Sequence, residues 1–367
     1  MNNRNLNVVV LGSGPSGTAA AKALLLGGMS VTLVDAGRKM PEDAEFVRDA
    51  MASTVPDEWD SAAVNRLNAR GLKERGQVPL KTTFGSDFPY HFDTAVTEHG
   101  ASILSSHALG GLSNVWGASI LPLSEADMAG WPLPMSDLAP HYSAVLKWLP
   151  HSQVEDELAE VYPLHSSYQR ELGLSRQARA LIDDLDKADA ELKTEGLLFG
   201  RSRLAMSNCF YCGQCLIGCP YQFIYSANQT LDELRDLPGF SYVGDTLVKG
   251  VEEHSDSVEL HVEQDGEART IVAERLFIGA GVLGTAKLLM PLLNATEVRI
   301  KDSAYNLMPF LRYDRVAKVQ FESLYTLPQL FMEVDVPEIS ERNAHLQWYS
   351  YNDLYKQEIR KTLGLIY

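Results

Sequence analysis

The segment Gly12-Ser13-Gly14-Pro15-Ser16-Gly17, set between an apolar run and a small-residue run, constrains the fold of this chain more than any other feature. Residues 7–11 (NVVVL) have the unbroken apolar character of a strand buried on both faces of a parallel sheet. A helix is expected over residues 18–26 and a second strand over 30–34, closed by Asp35 and followed by Ala36. Strand, glycine turn, helix and strand in this order form the context in which G-x-G-x-x-G binds a dinucleotide. Gly12 permits the tight turn, Gly14 lets a diphosphate reach the backbone beside Ser13, and Gly17 lets helix and strand approach. The diphosphate would sit at the positive end of the helix. Asp35 would accept from a ribose hydroxyl and repel a 2′-phosphate. The turn alone does not separate FAD from NAD.

The second feature is a run of cysteines. Cys209, Cys212, Cys215 and Cys219 are the only four in the chain, spaced C-x2-C-x2-C-x3-C and followed by Pro220. Soft thiolates select iron–sulfur clusters or zinc over hard cations. Zinc sites pair two Cys-x2-Cys knuckles across a dozen or more residues, which this continuous run does not offer. A disulfide in so short a loop would meet cytoplasmic reductants. The spacing is that of ferredoxin clusters, in which the fourth cysteine serves a second cluster. With no second run present, two outcomes follow: a three-iron cluster on three cysteines, or a four-iron cluster if Cys219 folds back. A metal-free loop is the competing reading.

Further segments carry a family resemblance. Gly110-Gly111-Leu-Ser113-Asn114-Val115-Trp116-Gly117 is a second glycine-rich stretch, followed by Gly130-Trp131-Pro132 and Asp137-Leu-Ala-Pro140. Later, residues 275–289 read as strand, Gly-Ala-Gly turn and helix. With the first turn, these segments resemble the glucose–methanol–choline (GMC) family of FAD oxidoreductases over residues 6–350. The resemblance implies FAD as cofactor and flavin neighbours at Gly110, Gly111, Ser113, Asn114, Val115, Trp116 and Gly117. It places Ala280, Gly281 and Thr285 near the AMP half, and the backbone of Val248, ending a strand expected over 242–248, at adenine. Some relatives tether flavin through a histidine at the position of Val115, so FAD is expected to be non-covalent. Flavoprotein subunits of some sugar dehydrogenases in the family resemble the three-iron arrangement.

The resemblance also implies an α/β fold, α+β overall: a Rossmann-like FAD-binding domain (residues 1–130 and 201–300, with an irregular polar excursion over 38–100) and a substrate domain (131–200 and 301–367) built on an antiparallel sheet that is incomplete here. The sequence reads accordingly. Residues 151–200 read as helical, with Leu158, Leu172, Ala180, Leu181, Leu185 and Leu192 inward. Alternation around Val258, Leu260, Val262 and Ile271 gives a meander. Strands are expected over 315–321, 330–336 and 345–351, and a helix over 353–363. Trp116 and Trp131 have a plainer reading as core aromatics.

A formal charge of −16 excludes non-specific binding to nucleic acid or anionic membranes, and no apolar run reaches the roughly 20 residues of a membrane span. The cysteine usage and the absence of a leader predict a cytoplasmic protein, the alternative being export in folded form with a partner subunit. Within the family, a C-terminal segment supplies the active-site histidine and its His or Asn partner. None of the nine histidines here stands in such a context, so no catalytic residue is assigned; His345 reads as a sheet-surface or core histidine. The expected function is oxidation of an alcohol group on a sugar or polyol, with electrons relayed through the cluster to an acceptor protein or small quinone. The alternatives are a non-catalytic FAD/Fe–S subunit completed by a partner chain, and a cluster-free alcohol oxidase.

Overall fold

The computed structural model describes residues 6–69, 73–75, 78–92, 96–100, 103–300, 306–319 and 322–351. The chain divides into two units: residues 1–50, 72–116 and 226–306 form one, and residues 51–71, 117–225 and 307–367 the other.

The first unit is built on a four-stranded parallel sheet. Val8–Leu11 is flanked by Val31–Val34 on one side and Arg275–Ile278 on the other, with Phe240–Val243 outermost beyond the second strand. All four residues of the first strand are buried, as an unbroken apolar run requires. The helix Pro15–Leu26 follows the glycine turn, with Pro15 in its first turn, where proline loses no hydrogen bond. Leu33, Ala21, Leu231 and Leu234 close one face of the sheet. Leu11, Val34, Leu260 and Val262 join on the other, beneath an antiparallel meander of Thr246–Glu253, Val258–Gln264 and Glu267–Ala273. The expected strand over 242–248 is two strands in two sheets. The chain turns at Gly244-Asp245, where Asp245 takes φ +51°, and Val248 belongs to the meander. The excursion after residue 38 carries the helix Glu42–Ala52, within which the first unit ends, and Ser61–Ala69 in the second unit, so it is more regular than its composition suggests.

The second unit holds a three-stranded antiparallel sheet in which Leu330–Val334 lies between Leu197–Arg201 and Ala344–Trp348. Leu158 and Leu172 are buried as expected. The helix Arg176–Lys187 covers only part of the stretch read as helical and leaves Ala180, Leu181, Leu185 partly buried. Residues 315–319 form no strand, and residues 320, 321 and 353–363 lie outside those described. Trp131 is exposed rather than a core aromatic.

Beneath the sheet, Arg203 is 2% exposed and pairs with Asp156 at 3.6 Å. Asp156 also accepts from the backbone N–H of Arg201 (2.7 Å) and of Leu158 (3.2 Å), capping the short 3-10 turn Glu157–Glu160.

Candidate functional site: a dinucleotide cradle and a cysteine loop

In the first unit, the residues singled out around the glycine turn are brought together. A Cβ on Gly17 would lie 1.8 Å from the Gly12 carbonyl oxygen, and one on Gly12 would lie 2.5 Å from that of Gly279. Both positions therefore need glycine, and the turn is clamped between the first strand and the Gly279–Gly281 turn. A Cβ on Gly14, in contrast, would meet nothing within 4 Å. Gly14 caps the helix without a side-chain hydrogen bond, and no acidic residue occupies the first turn. The first N–H groups of the helix lack an intrahelical partner and lie next to this open position, which is what a diphosphate needs. The cradle fits the phosphate half of a dinucleotide.

Asp35 is placed differently from a residue waiting for a sugar. It is 6% exposed and accepts from Ser13 Oγ–H (2.5 Å), Ser13 N–H (3.3 Å) and the Tyr242 hydroxyl (3.4 Å). Burial pushes its carboxyl up, opposed by the hydrogen bonds from Ser13, Tyr242 and the Gly37 backbone. Burial and the Asp35 charge in turn push the Tyr242 phenol up, so it donates. Ser13 Oγ also accepts from Gly110 N–H (2.9 Å), which ties the second glycine segment to the first turn. Gly111 then lies against Gly14, whose Cα is 3.6 Å from the position of a Gly111 Cβ.

Within the second segment, Ser113 and Asn114 fold the loop on itself. Ser113 Oγ donates to the Gly110 carbonyl (2.6 Å) and accepts from Ala227 N–H (2.9 Å). Asn114 donates to the Leu109 and Gly111 carbonyls and accepts from Ser226 Oγ–H and the Asn228 amide. Ser226 and Asn228, at the start of the helix Ala227–Arg235, were not singled out from sequence; the Ser-Ala-Asn helix start was their only signal. Val248 and Ala280 line one apolar cluster with Leu11 and Val34. Gly281 and Thr285 lie in the helix Gly281–Leu292. Ala36 lines a cavity of about 330 Å³ with Arg38, His107, Asp245 and Leu247, at the carboxyl end of the second strand.

The cysteines belong to the second unit rather than to the one that holds the glycine turn. Residues 201–225 run on from the strand Leu197–Arg201, and Cys212 bridges to Leu324. All four are free thiols. Burial pushes Cys209 and Cys212 up to about 12, and Cys219 upward as well. Backbone N–H groups oppose this at Cys209, where Tyr211 donates to Sγ (3.1 Å), and at Cys219, where Phe223, Ile224 and Tyr221 act. Thr326 N–H also donates to Cys215 Sγ (3.4 Å). Thiols ringed by N–H donors suit an iron–sulfur group in kind. Their spacing does not: among the described residues no three His, Cys, Asp or Glu side chains are gathered closely enough to hold a metal ion. No reaction step is derived through a cluster.

No known family profile matches this chain, and no curated protein matches it. Solved structures do. It is similar to pyridoxine 4-oxidase from Mesorbium loti, with 18% identity and a TM-score of 0.46 over 78% of this chain and 51% of that one. A formate oxidase from Aspergillus oryzae RIB40 matches with 16% identity and a TM-score of 0.44, over 79% and 48% of the two chains. A fungal aryl-alcohol oxidase matches with 11% identity and a TM-score of 0.43, over 78% and 47%. The chain spans about half the length of these structures.

One further group in the second unit emerges only from the structure. Glu333, 1% exposed on the central strand, accepts from the Tyr162 hydroxyl (3.1 Å) and contacts His345 Nδ1 (2.5 Å) on the neighbouring strand. Burial first, and then the Glu333 charge, pushes the Tyr162 phenol up. Glu333 and His345 are register partners across the sheet, a pairing that sequence separation hides. Among the described residues no helix is long and apolar enough to cross a membrane.

Proposed function

We propose that this chain is the FAD-binding portion of a flavin-dependent oxidoreductase that oxidises an alcohol group of a small molecule such as a sugar or polyol. The observation that carries the reading is the cradle at Gly12, Gly14 and Gly17, open above Gly14 and braced against Gly110 and Gly111 through Ser13 and Asp35. When bound, FAD would accept the two electrons released as a carbinol carbon becomes a carbonyl. The N–H groups of the first turn would hold its diphosphate. The cavity beside Ala36 lies at the carboxyl end of a parallel strand, where such sheets take their ligands, and would receive the adenosine half. Gly110 to Gly117 would line the flavin, and Asp35 would hold the turn from within through Ser13 and Tyr242. Membership of the GMC family, and FAD rather than NAD, are supported by the joint order of the glycine segments.

Two experiments test the reading. Purified under non-denaturing conditions, the chain should carry FAD; a colourless protein that takes up no added FAD overturns the assignment. Asp35→Ala should reduce FAD retention several-fold, since it orphans the buried Ser13 and Tyr242 donors at about 1–3 kcal/mol. Unchanged FAD content would remove Asp35 from the site.

The finer reading is a dehydrogenase whose Cys209, Cys212, Cys215 and Cys219 loop carries an iron–sulfur relay to an external acceptor. It rests on the ferredoxin-like order of the cysteines along the sequence and on the N–H groups around the sulfurs, against the finding that the described side chains gather no metal-holding group. Anaerobically purified protein should then contain iron and acid-labile sulfide, both lost in Cys212→Ser. Iron-free protein that forms hydrogen peroxide on turnover would favour the cluster-free oxidase.

A further inference from the structure

The cysteine loop carries aromatic side chains that its own packing leaves in water. Trp59, Tyr221 and Phe223 stand in a row, with neighbouring planes 16° and 23° apart and centroids separated by 6.1 and 5.6 Å. Phe210 crosses the row edge-on, 4.6 Å from Tyr221 and 5.3 Å from Phe223. It remains 46% exposed. Val55 is 49% exposed and follows Thr54, whose carbonyl accepts from the Tyr221 hydroxyl (2.7 Å). Two stretches remote in sequence, residues 54–59 and 210–223, thus build one apolar surface, and both belong to the second unit.

The rings are fixed before any partner arrives. Trp59 Nε1–H donates to the Met51 carbonyl (2.9 Å), so the polar tips of both Trp59 and Tyr221 are occupied by backbone. The loop is closed behind them by the bridge between Met206 and Ile224, and by Ser207 N–H donating to the Phe223 carbonyl (2.9 Å). Aromatic anchors held in this way lose little rotamer freedom on binding. A cluster that served only the stability of the loop would turn Phe210 inward; an exposed apolar patch with a polar rim marks an interaction surface. The rim has one sign. Residues 204–225 contain no charged side chain, and the charges in residues 51–65 are Asp57, Glu58 and Asp60, all exposed. Asp60 meets Arg66 at 3.7 Å, but both side chains are well over half exposed, so the pair contributes little. Ring faces and carboxylates both attract arginine and lysine, and the rim repels an acidic partner. The net charge of −16 steers a basic protein toward the chain from a distance.

We propose that Trp59, Phe210 and Tyr221, rimmed by Asp57 and Glu58, form a docking surface for a basic protein segment in which arginine or lysine alternates with apolar side chains. Phe210 and Trp59 give the apolar contact, and the carboxylates set the sign of the partner. Docking here is independent of the cofactor cradle, whose residues belong to the other unit.

The test titrates the full chain into two rhodamine-labelled peptides of equal charge, acetyl-Arg-Trp-Arg-Leu-Arg-amide and acetyl-Arg-Ser-Arg-Ser-Arg-amide, and follows anisotropy. The first should bind at least about tenfold more tightly, the margin that a central aromatic anchor supplies. Phe210→Ser should remove that preference. Glu58→Lys, which leaves the rings untouched and so keeps the test independent of their packing, should weaken the first peptide about fivefold or more. Raising salt from about 20 to about 200 mM should weaken both peptides while the preference persists, since screening acts on the rim and not on the rings. Equal affinity for the two peptides, or no binding of either, overturns the proposal. So does a preference that survives both Phe210→Ser and Glu58→Lys, which would place the binding elsewhere on the chain. Dimerisation in sedimentation that Phe210→Ser abolishes, without any preference between the peptides, would assign the patch to a second copy of this chain instead.

Discussion

Gly17→Ala should abolish FAD binding and destabilise the first unit by about 3 kcal/mol or more. Two effects of opposite sign compete at this position. Gly17 lies inside the helix Pro15–Leu26, and replacing a helical glycine with alanine normally gains about 0.5–1 kcal/mol. Here the new Cβ would stand 1.8 Å from a backbone oxygen of Gly12 and 2.9 Å from its carbonyl carbon. Neither atom belongs to a flexible side chain, so the helix must move away from the strand. Overpacking in rigid interiors costs about 1–3 kcal/mol for far milder clashes. The clash therefore wins, and the displaced helix no longer presents its N–H groups beside Gly14. Chemical denaturation and flavin absorbance together check this; a wild-type midpoint with full flavin content would refute the clamp. The same methyl group added at Gly14, where nothing lies within 4 Å, should leave folding nearly unchanged and act on cofactor retention alone.

Asp156→Ala should cost about 3–5 kcal/mol in the second unit, because it strands a buried guanidinium. Loss of the cap on the 3-10 turn accounts for only about 1 kcal/mol. The larger share comes from Arg203, whose side chain is 3% exposed and whose only carboxylate partner among the ion pairs described is Asp156. Arg203 also donates to the Tyr162 carbonyl (2.5 Å), which cannot neutralise the charge. Removing both partners of a buried pair is milder than removing one, so Asp156→Ala with Arg203→Leu should recover part of the loss. Urea denaturation of the two variants separates the contributions. Equal midpoints for the single and double variants would show that the ion pair contributes nothing.

The parts of this chain that could be read from sequence are those whose physics is local. The strand at residues 8–11, the glycine turn and its helix follow from a contiguous pattern, as does the strand–turn–helix of residues 275–292. The break inside 242–248 had a signal in Gly244-Asp245, a turn dipeptide outweighed by the apolar residues around it. The missing strand over 315–319 shows the limit of alternation without a partner to pair with. Asp35 was visible as a strand-ending carboxylate, but its inward hydrogen bonds depend on Tyr242, which is remote in sequence. Glu333 and His345 were hidden for the same reason, since only register across the sheet brings them together. The cysteine spacing was the plainest motif of all. Its membership in the second unit was not, because that follows from the strand before it and from Leu324.

The order of strands in the parallel sheet has a consequence for biosynthesis. Val8–Leu11 is flanked in the native sheet by Arg275–Ile278, a strand made much later in synthesis, and its other neighbour is itself paired with Phe240–Val243. Until the nascent chain has grown past Ile278, the valine-rich strand and its helix have an incomplete sheet and a half-covered apolar face. Translation at about 5–20 residues per second keeps that face exposed for tens of seconds. The glycine turn cannot be held from the Gly279 side until that later segment has been made.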